Sequence, residues 1–322
     1  MNLTSIQWTD VTWNPVRGCS RVSPGCEHCY AETMAARFSD HGMWGHGFAE
    51  RTEHGGRWTR LVEPVPTKLE EPLRLRKPHR IFVNSTSDLF HESVPNEYIA
   101  SVFGVMAACP QHVFQILTKR AERMALWFAW VGRGAEPFSL HSRGWRICAV
   151  NRSAAIRSGV QWPSSRQGVL VESWPLPNVW IGVSVEDQRR ADERIPHLLG
   201  VPAAVRFLSI EPLLEAVDLG AFLGAGISWV IVGGESGHGA RPFDVAWARS
   251  IIAQCREAKV ACFVKQLGAQ PVTSTPEHPR DAPLVVDHDG DYGRFDLRDR
   301  KGGDPSEWPK DLRVREMPGG EP

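Results

Sequence analysis

The sequence predicts an α/β fold, specifically a complete or partial (β/α) TIM-like barrel. From residue 80 onward, short β-branched apolar runs recur about every 25–30 residues, and each run closes on small and polar residues. Such near-continuous apolar runs are typical of strands buried on both faces of a parallel sheet. Helical periodicity follows several of the runs, and this alternation indicates βα units.

Six strands and two helices follow from this pattern. The predicted strands cover residues 80–83, 112–117, 179–183, 205–208, 229–232 and 261–264, with a further strand expected near residues 5–13. A helix is predicted over 97–109, where Ile99, Val102 and Met106 share one face and Pro110 ends the pattern. A second helix is predicted over 244–258, beginning at Asp244, a good N-cap residue.

The spacing of the strands also predicts the domain organisation. Residues 128–177 separate the second and third runs without clear periodicity, so they are interpreted as an insertion in a barrel over 1–270. The remaining 271–322 form a C-terminal extension rich in Pro, Asp and Gly. Within it, an Asp-Gly pair between two apolar runs predicts a β-hairpin over 284–295.

Composition narrows the classes of partner. The 322 residues include 37 Lys and Arg and 37 Asp and Glu, so the net charge is zero. A nucleic-acid partner is possible but not supported by this balance, and the excess of basic residues in 51–80 is better explained as a solvated surface. No secretory signal and no apolar run of ~20 residues is visible, so a cytoplasmic protein without a membrane partner is expected.

The strongest local feature is a cluster of three of the seven cysteines. Cys19, Cys26 and Cys29 fall within eleven residues, and in a reducing compartment such a cluster indicates metal ligands rather than disulfides. Ser, Pro and Gly between the first two allow the backbone to wrap around a ligand. The Cys26-x-x-Cys29 pair opens a helical stretch over 30–37, and a helix N-terminus stabilises thiolates.

Three thiolates are compatible with two kinds of metal site. An iron–sulfur cluster with three cysteine ligands keeps one iron available for a cofactor or substrate. Alternatively, a zinc ion recruits His28 or His91 as its fourth ligand. Three unligated thiols are the disfavoured third interpretation, and the other cysteines are assigned to the core or the surface.

Charged residues follow the predicted strands. In a parallel barrel, reactive groups gather where strands end. These positions hold Asp88, His91, Lys119, Arg120, Glu186, Glu211, Glu235, Arg241 and Lys265. A charge there is costly to bury unless it is paired or binds something. Ion pairs explain single cases, but so many charges at one rim favour a polar pocket.

A set of motifs in order along the chain resembles the phage Gp37/Gp68 family of uncharacterised proteins. The resemblance runs from residue 4 to the tail near residue 309 and is weakest across 128–177. It is carried by Thr4-Ser-Ile-Gln-Trp-Thr-Asp, the three-cysteine loop, Leu117-Thr-Lys-Arg, Ser184-Val-Glu, Leu208-Ser-Ile-Glu-Pro, Val232-Gly-Gly-Glu-Ser-Gly and Lys265-Gln. That family is similar in turn to radical-SAM enzymes, which implies a barrel of the radical-SAM type.

The resemblance implies a cofactor set and a reaction. Cys19, Cys26 and Cys29 would hold a [4Fe–4S] cluster, and S-adenosylmethionine would be cleaved reductively to start radical chemistry on an unknown substrate. The residues assigned to cofactor binding are Ser85, Ser87 and Asp88 at the methionine amino group, Ser184 and Glu186 at the ribose or carboxylate, and Arg241. The rim residues assigned to catalysis are Lys119, Glu211, Glu235 and Lys265.

The resemblance also implies a class of substrate and a partner. The phage association implies nucleic-acid repair or modification, and the reductive step implies a one-electron donor. The sequence departs from the usual radical-SAM pattern, because six residues rather than three separate the first two cysteines. The alternative is a non-enzymatic binding module that contains zinc or a cluster.

Overall fold

The structure is a computed structural model that describes residues 2–53, 55–132, 175–237, 239–274, 284–286 and 293–319. It shows a mixed α/β fold. The strands are β1 (Asn2–Leu3), β2 (Val11–Trp13), β3 (Val16–Arg17), β4 (Ala49–Thr52), β5 (Gly55–Trp58), β6 (Glu63–Pro64), β7 (Arg80–Val83), β8 (Val113–Thr118), β9 (Val179–Ser184), β10 (Val205–Ile210), β11 (Trp229–Gly233), β12 (Phe243–Asp244), β13 (Ala261–Gln266), β14 (Pro271–Thr273), β15 (Leu284–Val286) and β16 (Gly293–Phe295). The α-helices are α1 (Tyr30–Arg37), α2 (Asn96–Ala107), α3 (Ala121–Gly132), α4 (Gln188–Leu199), α5 (Gly220–Leu223) and α6 (Val245–Ala258).

The main sheet has the strand order β1-β2-β7-β8-β9-β10-β11-β13. β1 is antiparallel to β2, and the other seven strands form a parallel series. Within the described part of the chain, β1 and β13 are the two ends of this order. The prediction of an α/β fold built on a parallel sheet is therefore confirmed, in the form compatible with a partial rather than a complete barrel.

The chain divides into two compact units. The first unit comprises Met1–Val22, Tyr30–Gly182 and Gly200–Ala204. The second comprises Ser23–Cys29, Val183–Leu199 and Val205–Pro322. Cys19 therefore belongs to the first unit, whereas Cys26 and Cys29 belong to the second.

Apolar residues of β2, β7, β8 and α2 form the core of the first unit. Ile99, Val102 and Met106 of α2 are fully buried, as the periodicity predicts. The helix ends just before Pro110, in agreement with the stop signal in the sequence. Phe103 stacks on Trp127 of α3 with 4.5 Å between ring centroids, which fixes two helices of this unit against each other.

The second unit contains β10, β11 and β13 in parallel register and α6. Asp244 caps α6 as predicted, because its carboxylate accepts a 2.8 Å hydrogen bond from the amide of Ala246. Ala248, Ile251 and Cys255 form the buried stripe of this helix. Lys259, in a left-handed conformation (φ +57°), ends it.

The C-terminal part adds a small sheet with the order β12-β14-β16-β15. β15 and β16 pair antiparallel, whereas the predicted Asp289-Gly290 turn lies outside the described residues. Further on, residues 314–316 run along β13, where the Val264 amide donates to the Val314 carbonyl and the Glu316 amide donates to the Cys262 carbonyl, both at 2.8 Å. Of the predicted insertion, the first residues belong to α3, and 133–174 lie outside the described residues.

None of the described helices combines the length and the apolar character that crossing a membrane requires.

Candidate functional site

Cys19 lies directly after β3, at a point where the chain passes very close to another backbone segment. Gly18 adopts φ +78°, and a Cβ atom at this position would lie 2.0 Å from the carbonyl oxygen of Leu61. Only glycine fits this approach. The Cys19 thiol lies 3.6 Å from the Ser20 carbonyl oxygen and 3.9 Å from Nη1 of Arg120.

Arg120 links the Cys19 segment to the ends of β7 and β8. Its side chain is only 4% exposed. Nη2 donates to the Ser20 carbonyl at 3.0 Å and to Ser20 Oγ at 2.8 Å, whereas Nη1 and Nε pair with Asp88 at 3.3 Å and Glu92 at 3.1 Å. Burial alone would lower the pKa of Arg120, but the charges of Asp88, Cys19 and Glu92 outweigh it and raise that pKa.

Asp88, predicted to bind a cofactor, organises the two strand ends. Oδ1 accepts hydrogen bonds from the Phe90 amide at 3.0 Å and from Oγ1 of Thr118 at 2.8 Å. Oδ2 accepts one from the amide of Lys119 at 3.1 Å, besides pairing with Arg120. Both carboxylate oxygens are thus already engaged within the first unit.

Lys119, predicted to be catalytic, lies at the end of β8 and is half-buried. Among the residues that the structure describes, its ammonium group forms no ion pair. It is therefore a cation available to an anionic group.

His91 is buried with both ring nitrogens engaged. Nδ1 accepts a hydrogen bond from the amide of Ser93 at 3.2 Å, and Nε2 lies 2.9 Å from Ser20 Oγ. Burial, followed by the charge of Arg120, lowers the pKa of His91 and favours the neutral ring. Because Nδ1 acts as an acceptor, the ring proton belongs on Nε2, which donates to Ser20. His91 therefore has no free lone pair for a metal in this arrangement.

The predicted cofactor residues Ser85 and Ser87 build the turn after β7. Asn84 enters it with φ +60°. Oδ1 of Asn14 accepts from the Ser85 hydroxyl at 3.2 Å and from the Thr86 amide at 3.1 Å. The Ser87 hydroxyl donates to the Val16 carbonyl at 2.8 Å. The two serine hydroxyls thus hold the turn in place.

In the second unit, Cys26 lies in a short 3-10 turn over Pro24–Cys26. Its amide donates to the Ser23 carbonyl at 2.9 Å, and its thiol lies 3.9 Å from Ser23 Oγ. Gly25 contacts a strand-end carboxylate, because a Cβ on Gly25 would lie 3.0 Å from Cδ of Glu186. The thiols of Cys19, Cys26 and Cys29 are all half-buried.

Glu186, predicted to bind a cofactor, forms a buried ion pair with Arg194 of α4. Nη1 and Nη2 of Arg194 lie 2.8 Å and 3.3 Å from the two carboxylate oxygens. The side chains are 0% and 7% exposed. Nη1 also donates to the carbonyl of Ser184, another predicted cofactor residue, at 2.8 Å.

Glu235 and Arg241 form a second pair in this unit. Nη2 and Nε of Arg241 donate to the Glu235 carboxylate at 2.7 Å and 3.2 Å. Burial alone would raise the pKa of Glu235, but the hydrogen bonds and charge of Arg241 outweigh it and lower that pKa. Nη2 and Nη1 of Arg241 reach further, to the Pro24 carbonyl at 2.9 Å and the Glu27 carboxylate at 3.0 Å.

The predicted catalytic residues Glu211 and Lys265 pair with each other. Nζ of Lys265 lies 2.6 Å from Oε1 of Glu211, and each side chain is about one-fifth exposed. Both stand at strand ends of the second unit, so either can still meet a ligand from solvent.

Sequence reasoning missed several residues of these networks. Arg194 supplies the partner of Glu186, and Ser20, Glu92 and Asn14 complete the network of the first unit. A usable signal exists for Arg194, which interrupts the apolar stripe of Ala191, Ile195 and Leu198. Across the described residues, no group of three or more His, Cys, Asp or Glu side chains is arranged to hold a metal ion.

The fold and these residues define a mixed α/β protein with a parallel sheet, charged strand ends and a three-cysteine segment. The chain belongs to the DUF5131 family, described as protein of unknown function, whose family model matches residues 3–292. No curated protein and no solved structure matches the chain.

Proposed function

We propose that this protein is a radical-SAM-type iron–sulfur enzyme in which Cys19, Cys26 and Cys29 ligate a [4Fe–4S] cluster. The observation that carries the proposal is a segment of eleven residues with three half-buried thiols, in which Cys19 contacts the buried Arg120 and Gly25 contacts the buried Glu186. When bound, the cluster and S-adenosylmethionine would supply reductive cleavage of the sulfonium and a 5′-deoxyadenosyl radical.

The donor chemistry fits this group. Soft thiolates are the ligands that iron–sulfur clusters take from proteins. Arg120 donates a hydrogen bond toward the sulfur of Cys19 at 3.9 Å, a type of contact that tunes a cluster. Lys119 is next to Arg120 in sequence and forms no ion pair with any residue that the structure describes, so it is suited to orient an anionic substrate or the carboxylate of S-adenosylmethionine.

The state of His91 supports a cluster over zinc. A closed zinc site needs a fourth ligand, and His91 would have to break two hydrogen bonds to become one. Of the two histidines that the sequence offers as a fourth zinc ligand, only His28 then remains. Three thiolates that leave one iron open are a ligand set that a cluster accepts.

One observation favours a second candidate, a non-enzymatic binding module containing zinc or a cluster. Glu186, Glu211 and Glu235 are each paired with a basic side chain of the same unit. Paired charges at strand ends are what a structural role requires. The two candidates differ in whether the protein cleaves S-adenosylmethionine.

The test is anaerobic purification followed by metal analysis and reaction with dithionite and S-adenosylmethionine. A brown protein that absorbs near ~400 nm and yields 5′-deoxyadenosine is expected. Cys26→Ala should lose iron and product together, whereas Cys109→Ala, which removes a buried thiol elsewhere, should keep both. A colourless protein with one tightly bound zinc per chain would refute the enzyme and support the module.

The substrate class and the compartment are part of the proposal. A cluster of three cysteines that act as metal ligands is consistent with the reducing cytoplasm. The resemblance to phage proteins suggests repair or modification of nucleic acid. Binding of single- and double-stranded DNA and RNA, measured at two salt concentrations, tests this, because affinity carried by phosphate contacts must fall steeply with salt.

A further inference from the structure

Arg241 joins a buried strand-end carboxylate to the loop that carries two of the three cysteines. We propose that Arg241 is a positioning residue that fixes the conformation of the segment Ser23–Cys29. Glu235 then acts through Arg241 rather than on a substrate, which changes the role that its position in the sequence suggests. The metal-binding part of this inference rests on the proposed function, whereas the restraint on the loop does not.

The Arg241 guanidinium is held by a buried carboxylate on one edge and contacts the loop with the other. Glu235, whose side chain is 6% exposed, binds Nε and Nη2 of the guanidinium and also accepts from the Arg241 amide at 2.9 Å. The outer edge of the guanidinium binds Pro24 and Glu27, which lie on either side of Cys26. One side chain therefore restrains both flanks of a proposed ligand.

A second buried carboxylate contacts the same loop. Gly25 lies against Glu186, which Arg194 holds in place from α4. Any larger residue at position 25 would have to displace a side chain that is itself ion-paired. The loop is thus set by Glu186 from one strand end and by Glu235, through Arg241, from another.

Arginine is required here for a geometric reason. The planar guanidinium presents five N–H donors in a fixed fork and can serve a carboxylate, a carbonyl and a second carboxylate at once. A lysine keeps the charge but offers a single nitrogen on a flexible stem. Arg241→Lys therefore removes the multiple hydrogen bonds of the guanidinium while it keeps the positive charge.

The experiment compares the full chain with Arg241→Lys, and with Arg189→Lys as a matched control. Arg189 belongs to the same unit and forms an exposed pair with Glu193 at 2.7 Å. Two readouts are used on metal-free protein: amide hydrogen exchange over 23–29, and the rate of alkylation of Cys26 by iodoacetamide at fixed pH. Cys262, which is buried, reports on whether the fold is intact.

Arg241→Lys is expected to speed both readouts by about tenfold, because at least one charge-assisted hydrogen bond to the loop is lost. Arg189→Lys and the labelling of Cys262 should not change. After reconstitution with iron and sulfide, Arg241→Lys should also bind less than half of the iron of the unaltered chain. If Arg241→Lys does not fold, Glu27→Gln removes only the outer contact and should speed exchange about threefold.

Unchanged exchange and alkylation in a folded Arg241→Lys protein would overturn the restraint. Altered exchange with full iron content and an unchanged absorption spectrum would overturn the role of Arg241 in metal binding. Failure of the proposed function is distinguishable, because it appears as an unaltered chain that binds no iron while the metal-free readouts still separate Arg241→Lys from its control.

Discussion

Removal of Arg194 tests the energetic role of the buried pair beneath the cysteine loop. Arg194→Met keeps the length of the side chain but leaves the carboxylate of Glu186, 0% exposed in the native fold, without its guanidinium. Both short contacts, at 2.8 Å and 3.3 Å, are lost together with the bond to the Ser184 carbonyl. Breaking a buried pair in this way costs about 3–5 kcal/mol, since the buried carboxylate loses its paired guanidinium.

A loss of this size is easily measured. Urea unfolding followed by circular dichroism should show a fall in midpoint of about 1–5 M, given a denaturant dependence of about 1–3 kcal/mol per M. Arg189→Met, on the same helix but exposed, should leave the midpoint unchanged. The double variant Glu186→Leu/Arg194→Met should recover most of the loss, because both charges are removed. If Arg194→Met unfolds at the same midpoint as Arg189→Met, the pair does not stabilise the fold and the reasoning fails.

Two further predictions concern the first unit. Gly18→Ala should destabilise the protein by about 2–5 kcal/mol, because a left-handed backbone conformation and a steric overlap with Leu61 both contribute. The control Gly42→Ala has φ +82° but open space around it, so it should lose only about 1–2 kcal/mol from the backbone conformation. Equal midpoints of the two variants in thermal unfolding would contradict this reasoning. Burial alone would raise the pKa of Asp10, but the backbone hydrogen bond, side-chain hydrogen bond and charge of Arg80 lower it. The stabilisation by Asp10 is therefore present above the usual carboxyl pKa of about 4 and is lost as the pH falls through the lowered value. Asp10→Asn should consequently lower the thermal midpoint at pH 7 and have no effect near pH 2, and an effect that grows toward acid would contradict the assignment.

Six strands of the main sheet (β7, β8, β9, β10, β11 and β13) and the helices α2 and α6 were predictable because their signals are local. The run at 80–83 coincides with β7, and the apolar stripe after Asp244 coincides with α6, since a buried strand or a capped helix is written in consecutive residues. The presence of charge at strand ends was predictable for the same reason.

The partners of those charges were not predictable in the same way. Arg120 meets the Cys19 segment across about a hundred positions of sequence, a contact that only tertiary structure creates. Glu186 and Glu235 were assigned to ligands because their positions follow strands, but their environments depend on arginines brought in by a helix and a loop. Proximity along the chain also did not reveal that Cys19 and Cys26 belong to different compact units.

The tail beside β13 has a consequence for solubility and for truncated variants. Among the described strands β13 lies at one end of the order, and a terminal parallel strand exposes unpaired amides and carbonyls that can recruit another molecule. Residues 314–316 occupy part of that row, and Glu316 adds side-chain and carbonyl contacts to the Cys262 amide and the Trp229 indole. A protein truncated before residue 314 would expose the hydrogen-bonding edge of β13 to other molecules. Self-association of such a variant would therefore show that residues 314–316 cover the sheet edge, and it would say nothing about catalysis.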